Sequence, residues 1–191
     1  MVVDTAIELL ALNGYAATSM SMIAEASEVS KAVLYDCFPE GKHELYRAVM
    51  ERLTQRFEVA IVSSDISTML EDSLSFSLRE PYAARVLFAE PPVADGSAHA
   101  IYADAQRHIV ETIAWSMKVS TDRIDTLACL LAGVVMNGAS GHTEAAVVMI
   151  SAATSWAGRP STQEPTIAAI RRAYRPSARA LLRVVRGSAS G

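Results

Sequence analysis

Apolar residues at Val3, Ala6, Ile7 and Leu10 recur at i, i+3, i+4 and i+7, the spacing that lays one stripe along a helix. The dipeptide Asn13-Gly14 ends that run, and Tyr15 to Thr18 reads as a connection. Ser19 then caps a short helix from Met20 to Ala26, with Met20, Ile23 and Ala24 on one face. After a four-residue link, Ser30 caps a second short helix through Cys37, which Phe38-Pro39-Glu40-Gly41 interrupts because proline disfavours helix in the residue before it. A longer stripe of Leu45, Val49, Leu53 and Phe57 predicts a helix from Lys42 to about Val62.

Pro81, Pro91-Pro92 and Gly96 punctuate the middle of the chain and separate helices near Ile66 to Leu78, Tyr82 to Glu90 and Ser97 to Lys118. A further helix follows Ser120-Thr121-Asp122, and its stretch from Leu127 to Val135 is apolar on every side. Glu144 to Trp156 continues in helical character up to Gly158-Arg159-Pro160. The last predicted helix, Thr166 to Arg186, carries a kink at Pro176, and residues 187–191 read as a disordered tail. The fold class expected is all-α, with residues 1–56 as one domain and 57–186 as a second.

Two short helices braced by a longer one on each side form a helix-turn-helix layout. Such short helices are marginal alone. They persist if Ile23, Ala24, Val29, Leu34 and Phe38 share a core with Ile7, Leu10 and Leu45. The second short helix then exposes Lys31, Ala32, Val33, Tyr35 and Asp36, side chains of a size that enters a DNA major groove.

Charge complicates that picture. Residues 1–56 hold five Lys/Arg against eight Asp/Glu, residues 57–158 five against twelve, and residues 159–191 seven against one. A DNA-binding segment is expected to be basic, since phosphate neutralisation supplies most non-specific affinity, and this one is acidic. Arg171, Arg175, Arg179 and Arg183 make a basic stripe on the last helix, read as a solvated face.

The chemistry of catalysis is missing from the pattern. There is no GxSxG, GxGxxG, P-loop or HExxH motif, and His43, His99, His108 and His142 lack metal-ligand spacing, so neither an enzyme nor a metal or other cofactor is expected. Cys37 and Cys129 stand far apart and read as reduced core residues. No apolar run reaches the roughly 18 to 20 residues of a membrane span, and the start lacks a basic n-region, so a soluble cytoplasmic protein is expected.

Within residues 14–45, Gly14-Tyr15, Thr18-Ser19, Ile23-Ala24, Val29-Ser30-Lys31, Leu34-Tyr35, Phe38-Pro39 and Lys42-His43-Glu44-Leu45 occur in an order that resembles the signature of TetR-family repressors. The resemblance implies a homodimer that binds operator DNA, an approximate palindrome, and is released by a small-molecule effector. Carried onto this chain, it implies that Thr18, Tyr35 and Lys42 contact phosphates, with Ser19 at the cap beside them. Ser30, Lys31, Ala32 and Val33 would approach base edges or adjacent backbone.

Two departures stand out. Glu28 occupies the turn position where the family has glycine, so a positive φ and a charge facing phosphate are both expected there. The first helix also starts almost at Met1, without the basic arm common in similar proteins, which implies either a start further upstream or weaker DNA binding.

Beyond about Arg56 the resemblance thins to architecture: middle helices around a pocket and late helices paired across a two-fold axis. Phe88, Tyr102, Trp115, Met136 and Asn137 are the expected lining for an apolar or amphipathic effector. Leu127, Leu131, Val134 and Gly138 are the expected dimer contacts, because a helix apolar all round needs cover on every side. The alternative is a helical ligand-binding or protein-interaction module that has lost useful DNA affinity.

Overall fold

The structure, a computed structural model, describes residues 1–61, 65–88, 92, 94–117 and 121–157, excepting the side chains of 117, 121–125 and 154–157. Among the described residues the chain is all-α, with helices α1 (Val2–Ala17), α2 (Met20–Ala26), α3 (Lys31–Cys37), α4 (Lys42–Ala60) and α5 (Ile66–Arg79). These are followed by α6 (Pro81–Phe88), α7 (Gly96–Met117), α8 (Thr121–Ala139) and α9 (Thr143–Ala157). The expected last helix, its kink at Pro176, its arginine stripe and the tail lie outside the described residues.

The first helix does not stop at Asn13-Gly14. Gly14 takes φ 76°, kinks the helix, and lets one more turn run to Ala17. A left-handed residue is cheap at glycine because no Cβ meets the backbone. Ala6, Ile7 and Leu10 are buried, as the stripe implies, and α1 packs on α2, α4 and α6.

α4 is the spine. Leu45, Val49, Met50, Leu53 and Phe57 are each at most 1% exposed, and the helix runs without a break through the expected domain boundary at residue 56. It packs on α1 and also on α5, α6 and α7, so one helix contacts both parts of the chain. Phe57 sets its ring edge-on against both Phe76 and Phe88, with centroids 5.1 Å apart in each case. Salt bridges from Arg52 to Asp4 and from Arg56 to Glu80 tie the spine to α1 and to the end of α5.

α8 forms the centre of the second half, packed against α5, α6 and α9. This corrects the expected dimer contacts. Leu127, Leu131 and Val134 are at most 3% exposed within a single chain, so the all-round apolar stretch is covered by the chain's own helices. Gly138 faces α5, where an added Cβ would overlap Ser77 Oγ and press on Leu74 Cδ1. The glycine therefore permits close helix approach inside the chain and does not face a partner. Ser73 and Ser77 on α5 are small and fully buried, and they return their hydroxyl protons to the carbonyls of Met69 and Leu74. Replacing Gly138 by alanine is expected to cost about 1–3 kcal/mol through overpacking against α5. Thermal unfolding monitored by circular dichroism checks this.

Candidate DNA-reading head

The head is built from two short helices whose ends are satisfied locally. Ser19 Oγ accepts the Met22 N–H and Ser30 Oγ accepts the Val33 N–H, both at 3.2 Å, so each short helix begins on a side-chain cap. Each cap contributes roughly 1 kcal/mol. Between them, α2 ends in a Schellman turn: the Val29 N–H bonds to the Ala24 carbonyl and the Glu28 N–H to the Glu25 carbonyl. This geometry forces Glu28 to φ 56°, the one non-glycine residue with positive φ among those described.

α3 commits a single side chain to the core. Leu34 is 1% exposed, whereas Lys31, Ala32, Val33, Tyr35, Asp36 and Cys37 all face solvent. Val33 is 50% and Tyr35 48% exposed, an unusual display for large apolar or aromatic groups in so short a helix. Tyr35 leans over Gly41, whose φ of 73° turns the chain into α4, and a Cβ there would lie 3.6 Å from the Tyr35 ring. Cys37 is thereby corrected from core to surface, while Cys129 is buried.

Two expected phosphate contacts are placed differently. Thr18 is 1% exposed, and its hydroxyl donates to the carbonyls of Gly14 at 2.8 Å and Leu9 at 3.2 Å. It closes the α1 kink from within. Lys42 directs its ammonium to the carbonyls of Tyr15 and Thr18, at 2.7 and 2.8 Å, and over the Tyr15 ring at 4.1 Å from the centroid. Burial lowers its pKa, and Asp95 partly opposes that shift. Lys42 is thus a brace that holds the α1–α2 connection onto α4.

A joint that sequence reasoning missed lies beside it. His43 Nε2 lies 2.9 Å from Asp95 Oδ2, and the Tyr15 hydroxyl donates to the same oxygen at 3.4 Å. Asp95 also accepts the N–H groups of Ser97 and Ala98, so it caps α7 while gripping the head. These bonds hold its carboxyl below the usual range, with the Ala98 N–H and then His43 the main causes. Burial, with Asp95 alongside, pushes the Tyr15 phenol up to about 12. An Asp ahead of a helix start is legible as a cap; its partners 52 and 80 residues away are not.

None of the expected effector residues lines the groove of about 450 Å³ between α4 and α7. Phe88 and Tyr102, each 2% exposed, fill the core, and burial raises the Tyr102 pKa. Trp115 is 85% exposed. Met136 packs half-buried against the core, and Asn137 Nδ2 donates to the Gly133 carbonyl of its own helix at 2.8 Å. Among the described residues no helix is long and apolar enough to cross a membrane, and no cluster of three His, Cys, Asp or Glu stands ready for a metal.

Residues 2–49 match the family model for bacterial regulatory proteins of the tetR family. The fold is similar to that of a TetR-like transcriptional regulator from Rhodococcus sp. RHA1, at 24% identity and a TM-score of 0.64, covering 83% of this chain and 94% of that one. A second Rhodococcus RHA1 protein, a bacterial regulatory protein in the tetR family, aligns at 18% identity over 94% of both chains with a TM-score of 0.46. No curated protein sequence matches significantly.

The strain at Glu28 gives a direct test of the head's geometry. Glu28→Gly removes a left-handed cost of roughly 1–3 kcal/mol, offset in part by about 0.5–1 kcal/mol of glycine entropy, so net stabilisation of about 1 kcal/mol is expected. For a chain of this size the melting temperature should rise by roughly 2–4 °C, measured by differential scanning calorimetry.

Proposed function

We propose that the chain, whose residues 2–49 match the tetR family model, is a TetR-family transcriptional regulator that acts as a homodimeric repressor whose α3 enters the major groove of a palindromic operator and which a small effector releases. The observation that carries this reading is the exposure of every α3 side chain except Leu34. A helix that needed only to be stable would bury a wider stripe.

In this reading Lys31, Ala32 and Val33 meet base edges, with Val33 suited to a thymine methyl and Lys31 to a guanine or a phosphate. The Tyr35 hydroxyl, Ser19, Ser30 and the free N–H groups opening α4 position the backbone. Thr18 and Lys42 act indirectly by fixing the α1–α2 connection. Glu28 and the acidic composition weaken the non-specific component, so affinity depends more on the fit of α3 than on bulk charge. Residues 1–56 serve as the reading domain and the helices beyond as the effector and pairing domain.

With α8 covered inside the chain, the pairing face is assigned to α9, where Val147 and Val148 are 52% and 67% exposed. The effector acts through the α4–α7 pair, because the His43–Asp95 contact joins α7 directly to the head. An effector can shift the heads only if it binds the released arrangement more tightly than the DNA-bound one. The cytoplasm is the compartment this reading requires.

Fluorescence anisotropy with DNA from the gene's own upstream region, at two salt concentrations, checks the reading. The wild-type chain should bind tightly and lose affinity steeply as salt rises. Lys31→Ala should lower the salt slope by about 1 if it meets a phosphate, or cost about 1–3 kcal/mol if it reads a base. Tyr35→Ala should also weaken binding. Equal affinity for random DNA, unaffected by either change, would favour an interaction module that keeps the fold without reading DNA.

A further inference from the structure

The α4–α7 groove combines an apolar floor, a carboxylate-rich rim and an unsatisfied buried hydroxyl. Met50 and Thr54 of α4 are buried, while Ile101 and Ala105 of α7 are half-buried, and together they make the floor. They recur at i and i+4 on both helices, so the floor follows from two helical stripes set face to face. Thr54 is only 6% exposed, and its Oγ1 is buried without a hydrogen-bond partner. A bound group accepting or donating there would satisfy that hydroxyl.

The rim carries three carboxylates, Glu51, Glu58 and Asp104, against the single permanent cation Arg47 and the titratable His108. Internal pairing offsets part of this excess. Arg47 lies 3.7 Å from Glu40, outside the groove, and Asp104 bonds Arg107 at 2.8 Å. Glu58 accepts from Thr112 at 2.8 Å and faces His108 at 3.2 Å. Glu51 has no ion-pair partner among the described residues. The groove therefore presents negative potential above an apolar surface of a size suited to a small ligand.

We propose that this groove binds an amphipathic organic cation, a primary or quaternary ammonium on an apolar body, as the effector. The inference rests on the effector-responsive reading above and names the chemistry of its ligand. The ammonium sits between Glu51 and Glu58, the apolar body lies on Met50, Ile101 and Ala105, and Thr54 meets any polar atom at the floor. The two helices that bound the groove are joined at one end by the His43–Asp95 contact, which places the site beside the head.

Isothermal titration calorimetry of the full chain with n-octylammonium, octanoate and octanol below micellar concentrations tests the inference. Saturable binding of octylammonium, about tenfold tighter than octanoate, is expected. The Glu51→Gln/Glu58→Gln pair should weaken it by roughly tenfold, the sum of two exposed charge contacts. Octanoate binding as well as octylammonium, or an unchanged double variant, would overturn the proposal. Operator binding measured on the same preparations separates the two readings. A chain that binds DNA but not octylammonium loses the groove inference and keeps the regulator, whereas one that binds octylammonium at this site but not DNA does the reverse.

Discussion

Leu34 is the side chain on which the reading helix depends. A helix of seven residues cannot hold itself together in water, because the cost of nucleating its first turn is not recovered over so few hydrogen bonds. α3 persists because Leu34 is driven into the core with Ile23 and Leu45, a burial that contributes roughly 1.5–3 kcal/mol, and because Ser30 supplies its cap. The rest of the helix is then free of structural duty. Its exposed Val33 and Tyr35 make sense as surface kept for another molecule, since the same groups would stabilise the fold more if turned inward.

The head is not an independent unit resting on a body. Its α1 packs against α6, its supporting helix α4 continues into the second half, and Asp95 reaches back to His43 from the start of α7. Lys42 shows how tightly the connection is made, with a charged group spent on two backbone carbonyls in place of solvent. On the proposed reading, such a joint is what would carry a displacement of α7 relative to α4 to the α1–α2 connection.

Helical stripes and caps were legible in the sequence because they are local. Ser19, Ser30, the Phe38-Pro39 stop and the stripes of α4 to α9 fall close to where periodicity and turn chemistry put them, and the positive φ at Glu28 followed from its place in the turn. What was not legible was the partner across space. Leu127, Leu131 and Val134 read as needing cover on every side, but nothing local says whether that cover is a second chain or the chain's own α5, α6 and α9. Phe88 and Tyr102 were placed at a pocket for their chemistry, and only packing shows that they fill the core. Thr18 and Lys42 were given outward roles that tertiary hydrogen bonds turn inward. The α4–α7 groove escaped notice because its lining alternates with buried positions on two helices far apart in sequence.

The central claim, that α3 lies in DNA at paired positions, can be tested at the helix itself. Cys37 is exposed at the end of α3 while Cys129 is buried, so a thiol-reactive iron chelate is directed to Cys37 in the folded chain. Hydroxyl-radical cleavage of the upstream DNA by that conjugate should fall in two symmetric clusters about one helical turn, or a whole multiple of it, apart. Cleavage spread evenly along the DNA, or none at all from a conjugate that retains its fold, would contradict the account.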